Sequence, residues 1–324
     1  MPANFPEMWV NRVETNLTSQ DQAPWLAGVV EIDTSVIEVG SGSASEQNLI
    51  HIPVTDFDID ILFNNTVYPL PISAYGDSSV TLQLDKLQTP QVPISDDQAS
   101  GASYKRIDAA TYLMTRAMLI AKYKKAIYMI APAANGAFTP VVSTTGIHKD
   151  RVVHDGAGAP VADTPLMDGP RVIFVYDDIV ALKKKFDDME VPEDGRRLVL
   201  CSDHWNDLLL DRKRFGDMFS NYKTGMPAPM VGGFEIFQYT GNPYYNGTNK
   251  LAFGAVPAAG QYKASVAFYV PNIAKKTGYT RQYFLPSTLN PAGQSNIVSY
   301  RHYFMAVPKR AKYLGAIVSA YVAP

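Results

Sequence analysis

The sequence predicts a mixed α+β fold, and three features of it do so. Apolar residues alternate with polar ones in two blocks between Ile50 and Leu87, as in half-buried strands. A single run from about Ser103 to Ala131 carries apolar residues three and four apart and no proline, which is a long helix. Three strand-like runs come late: Ala264 to Val270, Asn296 to Val307 and Tyr313 to Val322. The late strands lie far in sequence from the helix they would have to cover.

A chain of 324 residues exceeds the usual single-domain range, so two lobes, or one lobe with large extensions, are expected. With 46% hydrophobic residues it can bury a real core. The 19% charged fraction, beside 19 Tyr, 14 Phe, 22 Gly and 23 Pro, points to β structure, many turns and large surfaces that meet other protein. A formal net charge of -2 argues against a dedicated nucleic-acid binder. The single cysteine, Cys201, excludes an intramolecular disulfide framework and fits a reducing cytoplasm. The opening MPANFPEMWVNRVE lacks the basic start and apolar run of a secretory signal, and no run approaches the ~18 apolar residues of a membrane span. A soluble chain without membrane contact is the expectation.

Residues 1 to about 45 lack periodicity and carry Trp9 and Trp25, which a free tail would expose at a cost. This arm lies either against its own domain or against another chain. Ile50, Ile52 and Val54, then Val80, Leu82 and Leu84, form a two-stranded excursion with a polar, proline-containing segment between. A long isolated ribbon is barely stable in water and needs a partner. In the helix that follows, Ile107, Thr111, Met114, Met118, Ala121 and Tyr128 mark one stripe, and Leu113, Ala117, Ile120 and Ile127 its neighbour, until Pro132 ends it. At ~1.5 Å per residue it is on the order of 40 Å long. Lys122, Lys124 and Lys125 read as a solvated face. After a loop-rich stretch, a second helix runs from about Tyr176 to Met189, with Ile179, Leu182, Phe186 and Met189 on one side.

Four constellations combine residue types that could carry chemistry. His148 and His154 with Asp150 and Asp155 fit no zinc spacing, and their loop is glycine-rich. Cys201 and His204 stand three apart, whereas catalytic pairs usually come from separate elements, and Cys201 sits in an apolar strand. Gly156-Ala157-Gly158 and Gly40-Ser41-Gly42 are too short for phosphate loops. Asp187-Asp188 and Arg212-Lys213-Arg214 read as charged faces beside helices. No catalytic, cofactor-binding or metal-ligating residue is therefore expected, and no cofactor.

The stretch the chain is organised around runs from Val191 to Tyr245. Val191-Pro192 closes the preceding helix, Asp194-Gly195 turns the chain, and Leu198 to Cys201 is a buried-strand run. Ser202 or Asp203 follows as an N-cap, Trp205, Leu208 and Leu209 share a helical face, and Gly232-Gly233 permits a tight bend before the strand Phe234 to Tyr239. In order and spacing, Val191-Pro192-Glu193-Asp194-Gly195-Arg196, Leu198-Val199-Leu200, Trp205 to Leu210, Gly225-Met226-Pro227 and Val231-Gly232-Gly233-Phe234 resemble the major capsid protein of tailed bacteriophages, whose fold is shared with the encapsulin shells.

That resemblance implies a phage major capsid fold divided into an N-terminal arm (1–45), an extended β-hairpin loop (46–98) and a peripheral domain. The peripheral domain combines a spine helix (99–132) with returning β-strands (259–324), and an axial domain (133–258) lies between. It implies self-assembly as pentamers and hexamers into an icosahedral head, with a separate scaffolding protein or none, and with portal and decoration proteins as further partners. Packaged double-stranded DNA would be contacted without sequence specificity. The location would be the virion capsid, assembled in the host bacterial cytoplasm. Trp9, Trp25, Phe63, Tyr68 and Tyr75 are the candidate inter-subunit contacts. Lysine cross-linking, known in some members, is not expected, because Lys86 is the only lysine between Glu46 and Ser100 and lies near the base of the loop. The alternatives are an encapsulin-like compartment and, more distantly, a two-lobed α+β enzyme dependent on a metal or a thiol.

Overall fold

A computed structural model of the chain describes residues 23–32, 49–55, 64, 66, 68, 77–147, 153–154, 160–161, 166–210, 220–221, 226–227, 230–290 and 292–322. After a short 3-10 turn at Pro24–Leu26 come strands β1 (Leu49–Thr55), β2 (Asp77–Gln83), β3 (Asp85–Gln88) and β4 (Val92–Ser95). Helix α1 (Asp96–Ile130) leads to β5 (Val141–Ser143), helix α2 (Tyr176–Asp188), β6 (Arg196–Leu200) and helix α3 (Ser202–Leu210). Strands β7 (Met230–Val231), β8 (Phe234–Gln238), β9 (Tyr244–Asn246), β10 (Asn249–Lys250) and β11 (Tyr262–Tyr269) follow. The long strands β12 (Ile273–Leu285) and β13 (Ser295–Pro308) precede β14 (Leu314–Val318).

Three sheets organise these elements. β1 and β2 form an antiparallel ribbon from Leu49↔Gln83 to Thr55↔Asp77. Its second strand runs on through Leu84 into β3, which joins β12, β13 and β4 in a sheet centred on β13. Within 46–98, the span of the expected hairpin loop, residues 85–88 and 92–95 pair with β13. A mixed sheet holds β7, β8, β6, β11, β9 and β10, with β14 on β11 and β5 beyond β14. Within it β6 runs parallel to β8 and β5 parallel to β14.

α1 starts at Asp96, several residues before the expected Ser103. The acidic pair Asp96-Asp97 falls in the first turn of the helix, the position where the macrodipole favours negative charge. Of the two predicted stripes, Met114 and Met118 are buried, together with Leu119, Tyr123, Ala126, Ile127 and Ile130. Leu113 and Ile120 face outward. The buried stripe packs on Val298, Tyr300, Phe304 and Ala306 of β13, and also on Val199 of β6 and Val266 and Phe268 of β11. Each large apolar side chain so enclosed stabilises the fold by about 1.5–3 kcal/mol before chain entropy is set against it. The lysines do not form one solvated face. Lys122 is buried with its ammonium 4.3 Å from the Phe304 ring centre, Lys125 lies 4.9 Å from that of Phe253, and Lys124 alone is exposed.

The last turn of α1 contains no basic residue of its own. Lys250 supplies the missing charge from β10, donating to the carbonyls of Tyr128 (2.8 Å) and Ala131 (2.6 Å). A cation at the negative end of a helix, on carbonyls that have no helical partner, is the favourable arrangement. The Tyr245 hydroxyl donates to the Pro132 carbonyl beside it.

The turn from α2 to β6 has a local explanation. Glu190 takes a left-handed φ of 56°. Its N–H reaches the Asp187 carbonyl (2.9 Å) and that of Val191 reaches Phe186 (3.1 Å), closing a Schellman motif with Val191 packed beside Phe186 in the core. Arg196 then bends back across the turn: its Nε donates to the Pro192 carbonyl at 3.0 Å, one terminal nitrogen to Asp187 at 2.7 Å, and the other to the Val191 carbonyl. The arginine of the Val-Pro-Glu-Asp-Gly-Arg motif is therefore a clamp on the end of α2. Gly232 and Gly233, at φ 57° and 77°, make the two-residue turn between β7 and β8, as the bend predicted there required.

Glycine is the residue that the left-handed site after α2 prefers. Glu190→Gly is expected to stabilise the unassembled subunit by about 1 kcal/mol, read from urea unfolding. An unchanged or lower midpoint would show that the Glu190 side chain contributes something the turn geometry does not reveal.

Candidate functional site

The densest polar arrangement among the described residues surrounds α3. The sequence predicted an inward face of Trp205, Leu208 and Leu209; the structure buries His204, Asp207 and Leu208 and leaves Leu209 exposed. The helix begins at Ser202, with the Cys201 carbonyl accepting the Trp205 N–H at 3.0 Å. Three polar groups outside the helix account for the rotation. The His204 Nδ1 lies 2.7 Å from the Ser265 hydroxyl of β11, and its Nε2 lies 2.9 Å from the Ser319 hydroxyl just after β14. Its ring stacks on Phe174, with centroids 4.6 Å apart. Asp207 receives both terminal nitrogens of Arg171, at 2.6 and 2.9 Å, and the Phe174 N–H at 3.0 Å.

A second buried carboxylate closes the same region. Asp178, in the first turn of α2, accepts the Val175 N–H, the Thr145 N–H and the Thr145 hydroxyl, at 3.0, 3.0 and 2.9 Å. Thr144 bonds the Val172 carbonyl through its hydroxyl, whose oxygen also accepts the Ala320 N–H, each at 3.0 Å. These groups join α2, α3, β5, β11 and the end of β14 into one frame. Arg171, Asp178, Asp207 and Ser265 carry no local sequence signal for it. The only available clue is the (i, i+3) spacing of His204 and Asp207, two polar residues on one helical face.

The frame does not have the properties of a reactive centre. His204 is fully enclosed, and burial pushes its imidazole down to about 3. A serine hydroxyl occupies each of its nitrogens, and the neighbouring carboxylate, Asp207, is engaged by Arg171 and Phe174 instead. Cys201, equally enclosed, has its thiol pushed up to about 11 by burial. Its sulfur points to the Lys263 carbonyl (3.6 Å) and the Ser265 hydroxyl (3.7 Å), so the Cys201–His204 pair is not a nucleophile and base. Among the described residues no group of three or more His, Cys, Asp or Glu side chains converges to hold a metal ion. His148 lies outside the described residues. A cleft of about 190 Å³ between α1, β3 and β13, lined by Asp85, Lys122, Lys125 and Phe304, falls below the usual size of a ligand pocket. No helix among the described residues is long and apolar enough to cross a membrane.

The surface residues expected to meet other subunits divide sharply. Trp25 is 0% exposed, packed among Tyr123, Tyr239 and Phe268, so it is spent on its own chain and presents nothing to a neighbour. Arg197 fixes that segment by donating to the Trp25 and Ala27 carbonyls. Tyr68 is 76% exposed. Trp9, Phe63 and Tyr75 lie outside the described residues. Lys86 sits in β3, opposite Tyr303. The structure adds a surface that was not foreseen: Tyr112, Leu113 and Ile120, along the outward side of α1, are all exposed.

A ribbon feeding a β sheet, a long helix shared by that sheet and a second, mixed one, and late strands returning onto the helix define this fold. Comparison with solved structures gives the same fold. The capsid of the cyanophage P-SCSP1u aligns with a TM-score of 0.58 at 14% identity, over 85% of this chain and 83% of that one. The capsid of Ralstonia phage GP4 aligns with a TM-score of 0.59 at 8% identity, over 89% and 87%. A virus-like particle from Pyrococcus furiosus aligns with a TM-score of 0.54 at 7% identity, over 98% and 100%. No family model matches the sequence, and no curated protein does. The likeness is thus one of fold, carried by three-dimensional arrangement.

Two outcomes follow for the buried frame. Arg171→Met strands the Asp207 carboxylate out of water, and Asp207→Leu leaves Arg171 only the exposed Asp168 at 3.1 Å, so each is expected to cost about 3–5 kcal/mol, and the double variant clearly less than their sum. A double-mutant cycle in urea measures this, and strict additivity would contradict it.

The second outcome concerns pH. Burial holds His204 at about 3 and His302 at about 4, below the ordinary 6.5. The unfolded chain therefore binds protons first, and the stability from each imidazole is present above 6.5 and lost as pH falls toward the folded value. Asp178 works against them: burial raises its carboxyl to about 6, so its contribution is present below 3.8 and lost as pH rises through 6. With two slopes against that of Asp178 and that of Asp85, whose carboxyl burial raises in the same sense, the subunit is expected to lose less than about 1.4 kcal/mol per pH unit between pH 6 and 4. Urea midpoints across that range measure the slope, and His302→Gln is expected to flatten it.

Proposed function

We propose that this chain is the major capsid protein of a tailed bacteriophage with a double-stranded DNA genome, assembling with copies of itself as pentamers and hexamers into an icosahedral head. The observation that carries the reading is the fold correspondence with phage capsid subunits over 85% and 89% of this chain. In this reading residues 1–45 are the arm and the hairpin loop lies within 46–98. The spine helix and the returning strands are the peripheral domain, and 133–258 is the axial domain. The role is structural and not enzymatic, in keeping with the enclosed thiol and imidazole.

Cohesion would come from many modest contacts, each subunit being held by several neighbours at once. Tyr68 on the loop and the Tyr112, Leu113 and Ile120 face of α1 are candidate contacts on exposure, and Trp9, Phe63 and Tyr75 on sequence. A net charge of -2 suits a wall that encloses DNA without reading its sequence. A separate scaffolding protein, a portal and decoration proteins are the further partners, and the host bacterial cytoplasm is the place of assembly.

An encapsulin-like compartment, which shares the fold, is the second reading; the correspondence with a virus-like particle from Pyrococcus furiosus over 98% of this chain and the whole of that one suits a closed shell of either kind. Expression of the chain in a bacterial cytoplasm, followed by negative-stain microscopy and light scattering, is expected to give closed shells, tubes or hexamers. Cys201→Ala is expected to leave assembly unchanged. Nuclease-protected DNA inside particles made during infection supports the phage head, whereas a single co-purifying enzyme supports the compartment. A chain that stays monomeric even with co-expressed scaffold candidates overturns both.

A further inference from the structure

The sequence contains two Asn-Gly pairs, Asn135-Gly136 and Asn246-Gly247. Glycine has no Cβ to shield its own amide nitrogen, so in such a pair that nitrogen can reach the side-chain carbon of the asparagine before it. The two pairs sit in opposite surroundings. The Asn135 side-chain oxygen accepts the Val141 N–H at 3.0 Å, and the Gly136 N–H donates to the Thr139 carbonyl at 3.1 Å. The side-chain amide and the nitrogen that would attack it are thus both held in other bonds.

Asn246-Gly247 stands at the tip of the β9–β10 hairpin, and both residues are exposed. The rungs of this hairpin are Tyr245↔Lys250 and Asn246↔Asn249, and Gly247, at φ 56°, opens the two-residue turn. Glycine with positive φ at the first central position is an arrangement that two-residue hairpins favour, and the rung bonds belong to the residues that flank the turn. The Gly247 nitrogen is therefore a turn nitrogen, outside the ladder. Because β10 is only Asn249–Lys250, the Asn246↔Asn249 rung is terminal, and opening it frees rotation about the Asn246 Cα–C bond.

We propose that Asn246 is a site of spontaneous, enzyme-independent modification, converted through a cyclic imide into aspartate and isoaspartate while Asn135 is spared, and that the conversion loosens the clamp on the end of α1. The chemistry balances with water alone. The Gly247 nitrogen gives its proton to solvent and attacks the Asn246 Cγ; the new C–N bond closes the ring, and the Cγ–Nδ2 bond breaks to release ammonia. Water then opens the imide. Breaking the new Cγ–N bond leaves aspartate, and breaking the original peptide bond leaves isoaspartate, with the main chain now running through Cβ and Cγ. Nothing is oxidised or reduced. Isoaspartate lengthens the main chain at the terminal rung, between two residues that hold the helix end: Tyr245 bonds the Pro132 carbonyl, and Lys250 bonds those of Tyr128 and Ala131. A shift of register at the tip is thereby passed to both.

The test keeps the full chain at near-neutral pH and body temperature and samples it over weeks. Peptide mass spectrometry reads the loss of amide at each asparagine, and an isoaspartyl methyltransferase with labelled S-adenosylmethionine reads isoaspartate. Hydrogen bonds must open before Asn135 can react, so conversion at Asn246 is expected to run on the order of tenfold faster than at Asn135. Asn246→Gln, whose longer side chain would have to close a larger ring, is expected to remove most of the methyl label. In the isoaspartate fraction, amide exchange over 127–131 is expected to rise roughly two- to fivefold above that of fresh protein. Equal rates at the two asparagines, label that survives Asn246→Gln, or a helix end that exchanges no faster would each overturn the proposal.

Discussion

Everything in this fold depends on burying one side of α1. That helix presents its Met114, Met118, Tyr123 and Ile127 stripe to two sheets at once, β13 on one hand and β6 with β11 on the other. Among the described residues neither sheet has another helical partner of comparable length. A helix that serves two sheets cannot rotate to improve its fit with one without opening the other, so its register is over-determined. Trp25 fills the remaining space, which is why a segment far up the chain sits at the centre of the molecule.

Polar groups then fix what apolar packing leaves adjustable. The core around α2, with Phe174, Leu182, Phe186 and Phe234, would tolerate small slides of one element on another. The Arg171–Asp207 fork, the Asp178 cradle and the His204 bridge to two serines do not, because a displaced partner leaves a desolvated polar atom unmatched. Arg196 does the same for the end of α2. These groups resemble an active site only in chemical type. Their enclosure and mutual saturation make them fasteners.

The sequence carried the fold class, both long helices and the turn after α2, because apolar periodicity, proline and glycine report local geometry directly. It also pointed to the correct family of folds, through the order of several weak motifs around Val191–Phe234. What escaped was governed by distant partners. β12 was not foreseen because Lys275, Lys276, Thr277, Arg281 and Gln282 give an edge strand no clean alternation. α3 was rotated from its expected face because His204 and Asp207 find partners on β11, after β14 and at Arg171, none of which is visible locally. Trp25 was recognised as needing cover, but whether its own chain or a neighbour supplies it is decided by Tyr123, Tyr239 and Phe268, far away in sequence.

Lys250 has a consequence that belongs to mechanics. Its ammonium grips two carbonyls at the very end of α1, and its own N–H bonds the Ala133 carbonyl. The end of the helix is thereby bolted to the β9–β10 hairpin, which hangs from β11. α1 is a stiff beam welded at one end, so a load applied to its far, N-terminal end passes into the mixed sheet as torque. Under such a load the bending moment is greatest at the weld itself, where the Lys250 bonds hold the helix.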